Sequence, residues 1–352
     1  MDLDQQECKM KRALVTGGCG FIGSNLTKEL VKQGWQIDVV DDMSNGYLNL
    51  LNGIKFKALP NSSFIHHYNQ SIKGGVKRSS DLVLVIQDDF AANAMLEYIA
   101  AGTYDVIFHQ AAVPRVSYSV EHPYETTVTN ISKTVALFDA AKNNVKRIVN
   151  ASSSSVYGGA RKLPTKESQN RKNPKSPYAW QKSAIEDYTK ICWHLYKLDI
   201  VNLRYFNVFG PGQYGDSPYS TAVSSWCHAI KNGLECRSDG DGEQSRDMCY
   251  VDNVVSANIL AAEADGFFAG TDYNIACGDR TSNNQILDYL KERFGNKVKI
   301  RHAPERLGDV KHTQADISCA MTNFGYKPLI KFWEGLDKTI KWWDIKSDDS
   351  NK

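Results

Sequence analysis

The chain has 352 residues, enough to bury a large hydrophobic core as one α/β unit or as two lobes. Its 42 basic and 40 acidic residues give a formal net charge of +2, so no nucleic-acid-binding patch is indicated. Because no early apolar run occurs, neither a signal peptide nor a membrane span is predicted. The eight cysteines form no CxxC pair, which predicts neither a metal site nor disulfides and favours a reducing, cytoplasmic compartment.

A glycine-rich loop follows the first predicted strand, at residues 13–15. Gly17, Gly20 and Gly23 have GxxGxxG spacing, and residues 24–33 continue with a helical pattern. The first glycine permits a tight turn, the second lets backbone amides approach a diphosphate, and the third allows close packing between helix and strand. The positive end of the helix dipole then faces the phosphates. This order of elements predicts a dinucleotide-binding loop.

The second predicted strand, residues 36–40, ends in two acidic residues, Asp41 and Asp42. A carboxylate at this position binds the two hydroxyl groups of a ribose and repels a 2′-phosphate. The sequence therefore favours NAD over NADP as the cofactor.

Strands and helices alternate through the first two hundred residues, which predicts a parallel, doubly wound sheet. Two further strands are predicted at residues 105–109 and 147–151, and the second one runs into four serines, residues 152–155. Ligands bind at the carboxyl ends of strands in such sheets. The serines could therefore bond a sugar hydroxyl, although serines are also common in simple polar turns.

Tyr178 and Lys182 are four residues apart, so they lie on one face of a predicted helix. A lysine ammonium beside a tyrosine can stabilise the phenolate and so convert the phenol into a base near neutral pH. The alternative is an ordinary solvated helix face. There is neither a GxSxG motif nor a Ser-His-Asp order, which argues against a hydrolase.

The pattern becomes mixed after Asn207, where glycine and proline interrupt it repeatedly. We predict a NAD-binding Rossmann domain at residues 11–207, with a surface insertion at about 61–80, and a smaller, partly interleaved substrate-binding lobe at 208–343. Residues 1–10 and 344–352 are predicted to be flexible ends. Arg246 and Arg306 fall in the second lobe, and arginine side chains suit a diphosphate.

Together these motifs resemble the extended short-chain dehydrogenase/reductase family, and within it the nucleotide-sugar 4-epimerases, with the closest likeness to UDP-N-acetylglucosamine 4-epimerases. The resemblance spans residues 11–343 and includes the segment Gly240-Asp241-Gly242-Glu243-Gln244-Ser245-Arg246-Asp247. It implies a Rossmann-type sheet with a smaller mixed α/β lobe, NAD as cofactor and a UDP-sugar as substrate. It also implies a transient 4-keto sugar, with Tyr178 as the base, Lys182 as the group that tunes it, and Ser153 bonded to the sugar 4-hydroxyl.

The resemblance assigns further residues to the two ligands. The implied cofactor-binding residues are Gly17, Gly20, Phe21, Ile22, Gly23, Asp41, Asp42, Asn45, Gly46, Asp89, Phe90, Gln110, Ala111, Ala112, Asn130, Ser152, Tyr178, Lys182 and Tyr205. The implied substrate-binding residues are Arg115, Ser153, Ser154, Ser155, Asn207, Val223, Arg246, Arg306, Asp309 and Thr313. Thr313 stands where epimerases restricted to UDP-glucose and UDP-galactose often carry a tyrosine, so its small side chain predicts that N-acetylated sugars are accepted.

The resemblance also implies a homodimer, in which helices at residues 123–143 and 176–198 form a four-helix bundle across a two-fold axis. Several alternatives stay open from the sequence. They are a UDP-glucose or UDP-glucuronate 4-epimerase, a 2-epimerase or a dehydrogenase acting on another nucleotide sugar, a 4,6-dehydratase, and a non-catalytic NAD-binding regulator.

Overall fold

A computed structural model describes residues 11–60, 79, 81–114, 116–159, 162–168, 172–216, 220–305 and 310–345. The predicted flexible ends are residues 1–10 and 344–352, of which the structure describes only Asp344 and Ile345, and Ile345 packs against the hydrophobic core. Nearly all of the predicted insertion at 61–80 also lies outside the described residues. Within the described ranges, no helix combines the length and the apolar character that crossing a membrane requires.

The strands of the large sheet are β1 (Arg12–Thr16), β2 (Gln36–Asp41), β3 (Lys55–Pro60), β4 (Leu82–Gln87), β5 (Val106–His109), β6 (Arg147–Ser153), β7 (Ile200–Tyr205) and β12 (Asp272–Ile275). The shorter sheets contain β8 (Val208–Phe209), β9 (Glu235–Asp239), β10 (Ser245–Arg246), β11 (Cys249–Tyr250), β13 (Thr281–Ser282) and β14 (Lys299–Ala303).

The α-helices are α1 (Phe21–Lys32), α2 (Asn93–Ala100), α3 (Val116–Glu121), α4 (Pro123–Thr127), α5 (Thr134–Ala141), α6 (Pro177–Tyr196), α7 (Ala222–Lys231), α8 (Val251–Glu263), α9 (Asn283–Phe294), α10 (Ser318–Phe324) and α11 (Phe332–Trp342). Short 3₁₀ turns occupy Leu48–Leu51, Ser154–Tyr157 and Gly295–Lys297. A π-helical turn, Val128–Lys133, joins α4 to α5, so the predicted helix at 123–143 is interrupted in its middle.

The large sheet has the strand order β12-β7-β6-β5-β1-β2-β4-β3, and all of its pairs are parallel. The Rossmann-type fold predicted from the sequence is therefore confirmed. The chain runs outward from β1 to β2 and later returns to place β5 on the other side of β1. This change of direction opens a crevice at the carboxyl ends of β1 and β5, where α/β proteins bind their ligands.

Both faces of the sheet are covered by helices, which explains why its strands are almost continuously apolar. Successive residues of β1 point to opposite faces: Ala13 and Val15 belong to one buried cluster, and Leu14 belongs to the other. Leu26 of α1 packs into the first cluster, and Phe138 of α5 packs into the second. Because each strand is packed on both faces, its position in the sheet is fixed. The carboxyl ends of the strands, which form the crevice, are therefore fixed as well.

Helices α7 to α11 and the short sheets come from the second half of the chain, where the smaller mixed lobe is predicted, but α8 packs against α1 and against β6, β7 and β12 of the large sheet. Strand β9 pairs with β14 in parallel, β10 pairs with β13 antiparallel, and β8 pairs with β11. Strand β12 also comes from this half, but it pairs with β7 at the edge of the large sheet. The two halves therefore share one sheet, while the predicted domain boundary at 207/208 stays a prediction.

Candidate active site

The glycine loop between β1 and α1 fits closely against its surroundings. A Cβ atom added to Gly17 would lie 2.9 Å from the backbone of Ala111, and Gly17 has a φ of +67°, which disfavours side chains. A Cβ atom on Gly23 would lie 2.2 Å from the carbonyl oxygen of Gly17. Glycine is thus required by the geometry at both positions, as the sequence predicted, and the α1 N-terminus is open toward the crevice.

Asp41 closes one end of the crevice at the carboxyl end of β2. Its carboxylate accepts hydrogen bonds from the backbone N–H groups of Cys19 and Met43, both at 2.9 Å. Burial raises the pKa of Asp41, and these backbone hydrogen bonds oppose that change. The bonds hold the carboxylate beside the glycine loop, where a ribose is bound in dinucleotide folds.

Tyr178 and Lys182 lie at the other end of the crevice, on the first turns of α6. The helix begins where the Ser176 hydroxyl accepts the backbone N–H of Ala179, and Pro177 occupies its first position. Both side chains are buried. The Lys182 ammonium donates to the carbonyl oxygen of Ala151, 2.6 Å away at the end of β6. The helix and this strand end are thereby tied together.

The electrostatics of this end differ from the simple expectation of a phenol tuned by its neighbouring lysine. Burial raises the pKa of Tyr178 to about 12, although a hydrogen bond with Ser153 acts in the opposite direction. Burial also lowers the pKa of Lys182 to about 8, and the negative charge of Glu186 opposes that shift. The chain alone therefore keeps Tyr178 protonated at neutral pH, and ionisation needs additional positive charge in the crevice.

A buried ionic network lies one helical turn beyond Lys182. Glu186 accepts two hydrogen bonds from Arg204, at 2.8 and 2.7 Å, and one from the Ser152 hydroxyl at 2.5 Å. Burial alone would raise the pKa of Glu186, but the contacts with Arg204 outweigh it and hold the pKa below its usual value. Arg204 also reaches Asp272 of β12 at 2.8 Å. Sequence reasoning missed this network because its members come from separate elements.

His109 supports the floor of the crevice at the end of β5. Its ring nitrogens are hydrogen-bonded to Thr16 at 2.8 Å and to Thr134 at 3.0 Å, and Thr16 also accepts the N–H of Ala111 at 3.1 Å. Burial lowers the pKa of His109 to about 3, with a smaller contribution from the charge of Lys182. A neutral imidazole therefore joins the ends of β1 and β5.

The glycine loop, Asp41, Tyr178 and Lys182 line a cleft of about 320 Å³. Most of the sequence-predicted cofactor residues line it: Gly17, Gly20, Phe21, Ile22, Gly23, Asp41, Asp42, Asn45, Gly46, Phe90, Gln110, Ala111, Ala112, Ser152, Tyr178, Lys182 and Tyr205. Two do not. Asp89 forms an ion pair with Lys133. Asn130, in the π-helical turn, is buried and bonded to Val113 and Gln181.

The serine run is placed differently from the sequence expectation, because β6 continues through Ser153. The Ser153 hydroxyl accepts the backbone N–H of Ser155 at 3.2 Å and so caps the 3₁₀ turn that contains Ser154. The Ser155 hydroxyl oxygen is buried and has no hydrogen-bond partner among the described residues. Of the four serines, Ser152 lines the cleft directly, and Ser153 reaches it through Tyr178.

Three of the predicted substrate residues lie close together. With Asp247 they form a surface that we call the second-lobe face, which consists of Asn207, Arg246, Asp247 and Thr313. Asn207 donates to the carbonyl oxygen of Asp247 at 3.1 Å and to the Thr313 hydroxyl at 3.3 Å. The Thr313 hydroxyl also accepts the N–H of Asp247 at 3.2 Å. Arg246 donates to the backbone carbonyls of Ser245 and Lys311, both at 3.1 Å.

The remaining predicted substrate residues lie elsewhere. Val223 is fully buried in the hydrophobic core, so a substrate contact there would require its surroundings to open. Arg115, Arg306 and Asp309 lie outside the described residues. The roles of all the predicted site residues stay predictions, whether or not they line the cleft.

Several cleft residues were missed by sequence reasoning: Val40, Ser44, Tyr47, Leu50, Val113, Pro114, Thr129, Ala151, Val208, Gly212, Gln213 and Tyr214. The motif Gly210-Pro211-Gly212 marks the start of one segment that crosses the cleft, but its spacing does not reveal what it touches. Tyr47 and Tyr214 carry no sequence signal that distinguishes them from surface tyrosines.

This arrangement defines a Rossmann-type dinucleotide-binding enzyme with a tyrosine and a lysine at the end of its cleft opposite Asp41. Residues 13–276 match the NAD dependent epimerase/dehydratase family. The chain belongs to this family, as its resemblance to nucleotide-sugar epimerases predicted.

Among its relatives, a UDP-glucose 4-epimerase of Mycolicibacterium smegmatis is 31% identical over 340 residues, covering 96% of this chain and 99% of the relative. A UDP-N-acetylglucosamine 4-epimerase from Methanobrevibacter ruminantium M1, solved with UDP-N-acetylmuramic acid, is 36% identical with a TM-score of 0.82, covering 96% and 99%. A UDP-glucuronic acid 4-epimerase from Bacillus cereus, solved with UDP-glucuronic acid and NAD, is 27% identical with a TM-score of 0.78, covering 95% and 99%.

The prediction of NAD as the cofactor is confirmed by the family and by such complexes. The residues of this chain also fit the cofactor. The glycine loop can pack this tightly against the end of β5 and the start of α1 only because Gly17 and Gly23 carry no Cβ atom, and the buried carboxylate of Asp41 is suited to ribose hydroxyls.

Proposed function

We propose that this enzyme interconverts the two 4-epimers of a UDP-sugar, most specifically UDP-N-acetylglucosamine and UDP-N-acetylgalactosamine. The observation that carries the proposal is the position of Tyr178, which shares a hydrogen bond with Ser153 and lies at the end of the cleft opposite Asp41. A proton acceptor is needed there, because oxidation of the sugar at carbon 4 releases the 4-hydroxyl proton.

In this proposal the residues of the chain perform binding, orientation and proton transfer. NAD supplies an acceptor and donor of hydride when bound, and its positive charge lowers the pKa of a nearby phenol. Tyr178 takes the 4-hydroxyl proton, directly or through Ser153, and later returns it. Lys182, which donates to the carbonyl oxygen of Ala151, would also hold the ribose of the bound cofactor, and the buried position of both side chains excludes water from the reacting groups.

The second-lobe face is the proposed anchor for the UDP group. Asn207 and Arg246 would hold the diphosphate, because arginine forms charge-assisted hydrogen bonds with phosphate oxygens. Anchoring the UDP lets the keto-sugar turn over and present its other face to the same cofactor. The small side chain of Thr313 favours an N-acetylated sugar, and UDP-glucose and UDP-glucuronate are second candidates because two of the relatives bear their names.

The test is to incubate the purified enzyme with UDP-N-acetylglucosamine, UDP-glucose and UDP-glucuronate separately and to follow the anomeric protons by NMR. We expect the galacto-configured product from the N-acetylated sugar at the highest rate, and Tyr178→Phe serves as the inactive control. A 6-deoxy-4-keto product would indicate a dehydratase. Binding of NAD without any turnover of these sugars would favour the non-catalytic regulator instead.

We further propose a homodimer built on α6 and the helical segment from α4 to α5. On α6, Trp180, Ile191 and Leu195 are about half exposed and share one side of the helix, and Tyr124 of α4 is 83% exposed. Such an apolar surface suits an isologous four-helix bundle.

Light scattering should give the mass of two chains, and Ile191→Glu should reduce it to the mass of one chain. Leu234→Glu, which alters an exposed leucine outside these helices, is the control. A mass of one chain for the unmodified protein at micromolar concentration would refute the dimer.

A further inference from the structure

A segment from the second half of the chain crosses the cofactor cleft, and we call residues 210–214 the strap. It begins after β8, and Gly212, Gln213 and Tyr214 line the cleft. On one side Asn25 of α1 donates to the carbonyl oxygen of Pro211 at 3.0 Å. The strap therefore lies against the helix whose N-terminus faces the diphosphate.

The side chain of Gln213 attaches the strap to the second lobe through hydrogen bonds. Its amide oxygen accepts the hydroxyls of Ser224 at 2.6 Å and Thr221 at 2.9 Å, and its amide nitrogen donates to the carbonyl oxygen of Val208 at 3.1 Å. Gln213 is itself buried. A group with all these partners is costly to displace, so the strap is a fixed part of the second lobe.

The tip of the strap meets the first lobe through two tyrosines. The rings of Tyr47 and Tyr214 stand edge to face, with centroids 5.1 Å apart and planes at 75°. Asn49 donates to the Tyr214 hydroxyl at 3.0 Å. The N–H of Tyr47 donates to the carbonyl oxygen of Cys19 at 2.9 Å, which joins it to the glycine loop. The ring of Tyr214 also contacts Trp342, with the two ring centroids 6.0 Å apart.

This contact lies at the adenosine end of the cleft. Tyr47 comes shortly after Asp41 and Asn45, which line the same end, whereas Tyr178 and Lys182 lie near the end of β6. Strands β5 and β1 separate β6 from β2 in the sheet. The two tyrosines are therefore placed to act on the cofactor's adenosine half and not on the reacting sugar.

We propose that Tyr47 and Tyr214 form an aromatic latch that closes the strap over the adenosine half of NAD and slows its release. The two rings come from separate segments that both line the cleft, so the cofactor is expected to leave only after the rings separate. The proposal requires NAD in this cleft but does not depend on which sugar is the substrate. The latch suits an enzyme that returns the hydride it removes, because the same cofactor molecule must stay bound through the whole cycle.

The test is the rate at which NAD leaves the purified, NAD-loaded enzyme after dilution into excess isotopically labelled NAD. We expect Tyr214→Ala to release the cofactor about tenfold faster, which is the size expected for the loss of one aromatic pair and one hydrogen bond, and Tyr47→Ala, which removes only the aromatic pair, to have a smaller effect in the same direction. The double variant should release NAD no faster than Tyr214→Ala, because removing one ring already opens the latch. Phe267→Ala is the control, since it removes an exposed ring from the Trp193–Phe267 pair, which does not line the cleft.

Unchanged release rates in both single variants would overturn the latch. Multiplied effects in the double variant would also overturn it, because they would mean that each ring holds the cofactor independently. Tyr214→Phe keeps the ring and removes only the hydrogen bond with Asn49, so it should speed release less than Tyr214→Ala. If Tyr214→Ala does not fold, the release rates of Tyr47→Ala and Tyr214→Phe test the latch instead.

Discussion

The cofactor cleft and the second-lobe face are built in different ways. The cleft is shaped largely by backbone, because glycines at 17 and 23 allow contacts that any side chain would block. The second-lobe face is held by side chains: Asn207 and Thr313, 106 residues apart, meet through a hydroxyl and an amide. Asp247 supports this face from beneath by accepting the N–H groups of Cys277, Gly278 and Ala315.

Under the proposed function, this difference would separate the residues that perform the chemistry from those that select the sugar. Backbone geometry tolerates few substitutions, so the position of the cofactor relative to Tyr178 is strongly constrained. A hydroxyl such as that of Thr313 can be exchanged for another side chain at a smaller cost. We therefore expect substitutions in the cleft to change the rate on every substrate, and substitutions on the second-lobe face to change the preference among substrates.

The largest expected effect comes from Tyr178→Phe. Turnover should fall at least a hundredfold on every accepted sugar, since general base catalysis typically contributes about 10²–10⁴-fold. The amount of NAD retained through gel filtration should stay the same, because the aromatic ring that lines the cleft is preserved and only its hydroxyl is lost. Initial rates by NMR and nucleotide analysis of the denatured enzyme provide the two measurements. Turnover within a few-fold of the unmodified enzyme would remove Tyr178 from the mechanism.

Thr313→Tyr tests the second-lobe face and should have an intermediate effect. A phenol ring would fill the space assigned to an N-acetyl group, which should reduce activity on UDP-N-acetylglucosamine relative to UDP-glucose by roughly ten- to a hundredfold. Thr313→Val is the matched control, because it removes the hydroxyl bonded to Asn207 and Asp247 without filling the space. Equal losses on both sugars in Thr313→Tyr would mean that this position does not select the substrate.

His109→Gln should have the smallest effect. It should change the stability of the fold and leave the preference among substrates unchanged. The folded pKa of His109, about 3, lies below the unfolded value of roughly 6.5, so the unfolded state binds a proton first as the pH falls. Stability from this group is present above pH 6.5 and is lost toward pH 3. Between pH 7 and 5.5 the unmodified protein should lose about 1.4 kcal/mol more than His109→Gln.

Urea unfolding at the two pH values measures this difference. His302→Gln, at an exposed histidine, should behave like the unmodified protein. The same acid sensitivity in His109→Gln as in the unmodified protein would show that the imidazole linking β1 and β5 is not the group that titrates.

The sequence predicted those parts of the site that depend on neighbours in the chain. The glycine loop and Asp41 follow from spacing within one strand–loop–helix unit, and Tyr178 and Lys182 follow from helical periodicity. It could not predict that Asn49 bonds a tyrosine 165 residues away, because such a contact depends on how the lobes pack. It also missed that Lys133 neutralises Asp89, since the π-helical turn that precedes α5 changes the side-chain directions expected from a regular helix.

The edge strand β12 limits how the second half of this enzyme could be exchanged for that of a relative. Asp272 of β12 completes the ionic network of Arg204 and Glu186, and Glu186 lies on the same helix as Tyr178 and Lys182. A hybrid enzyme assembled by joining two proteins near residue 207 would bring a foreign edge strand to this network and leave a buried arginine without its second carboxylate. To introduce a new sugar specificity, individual loops should therefore be exchanged, and residues 272–275 of this enzyme should be retained.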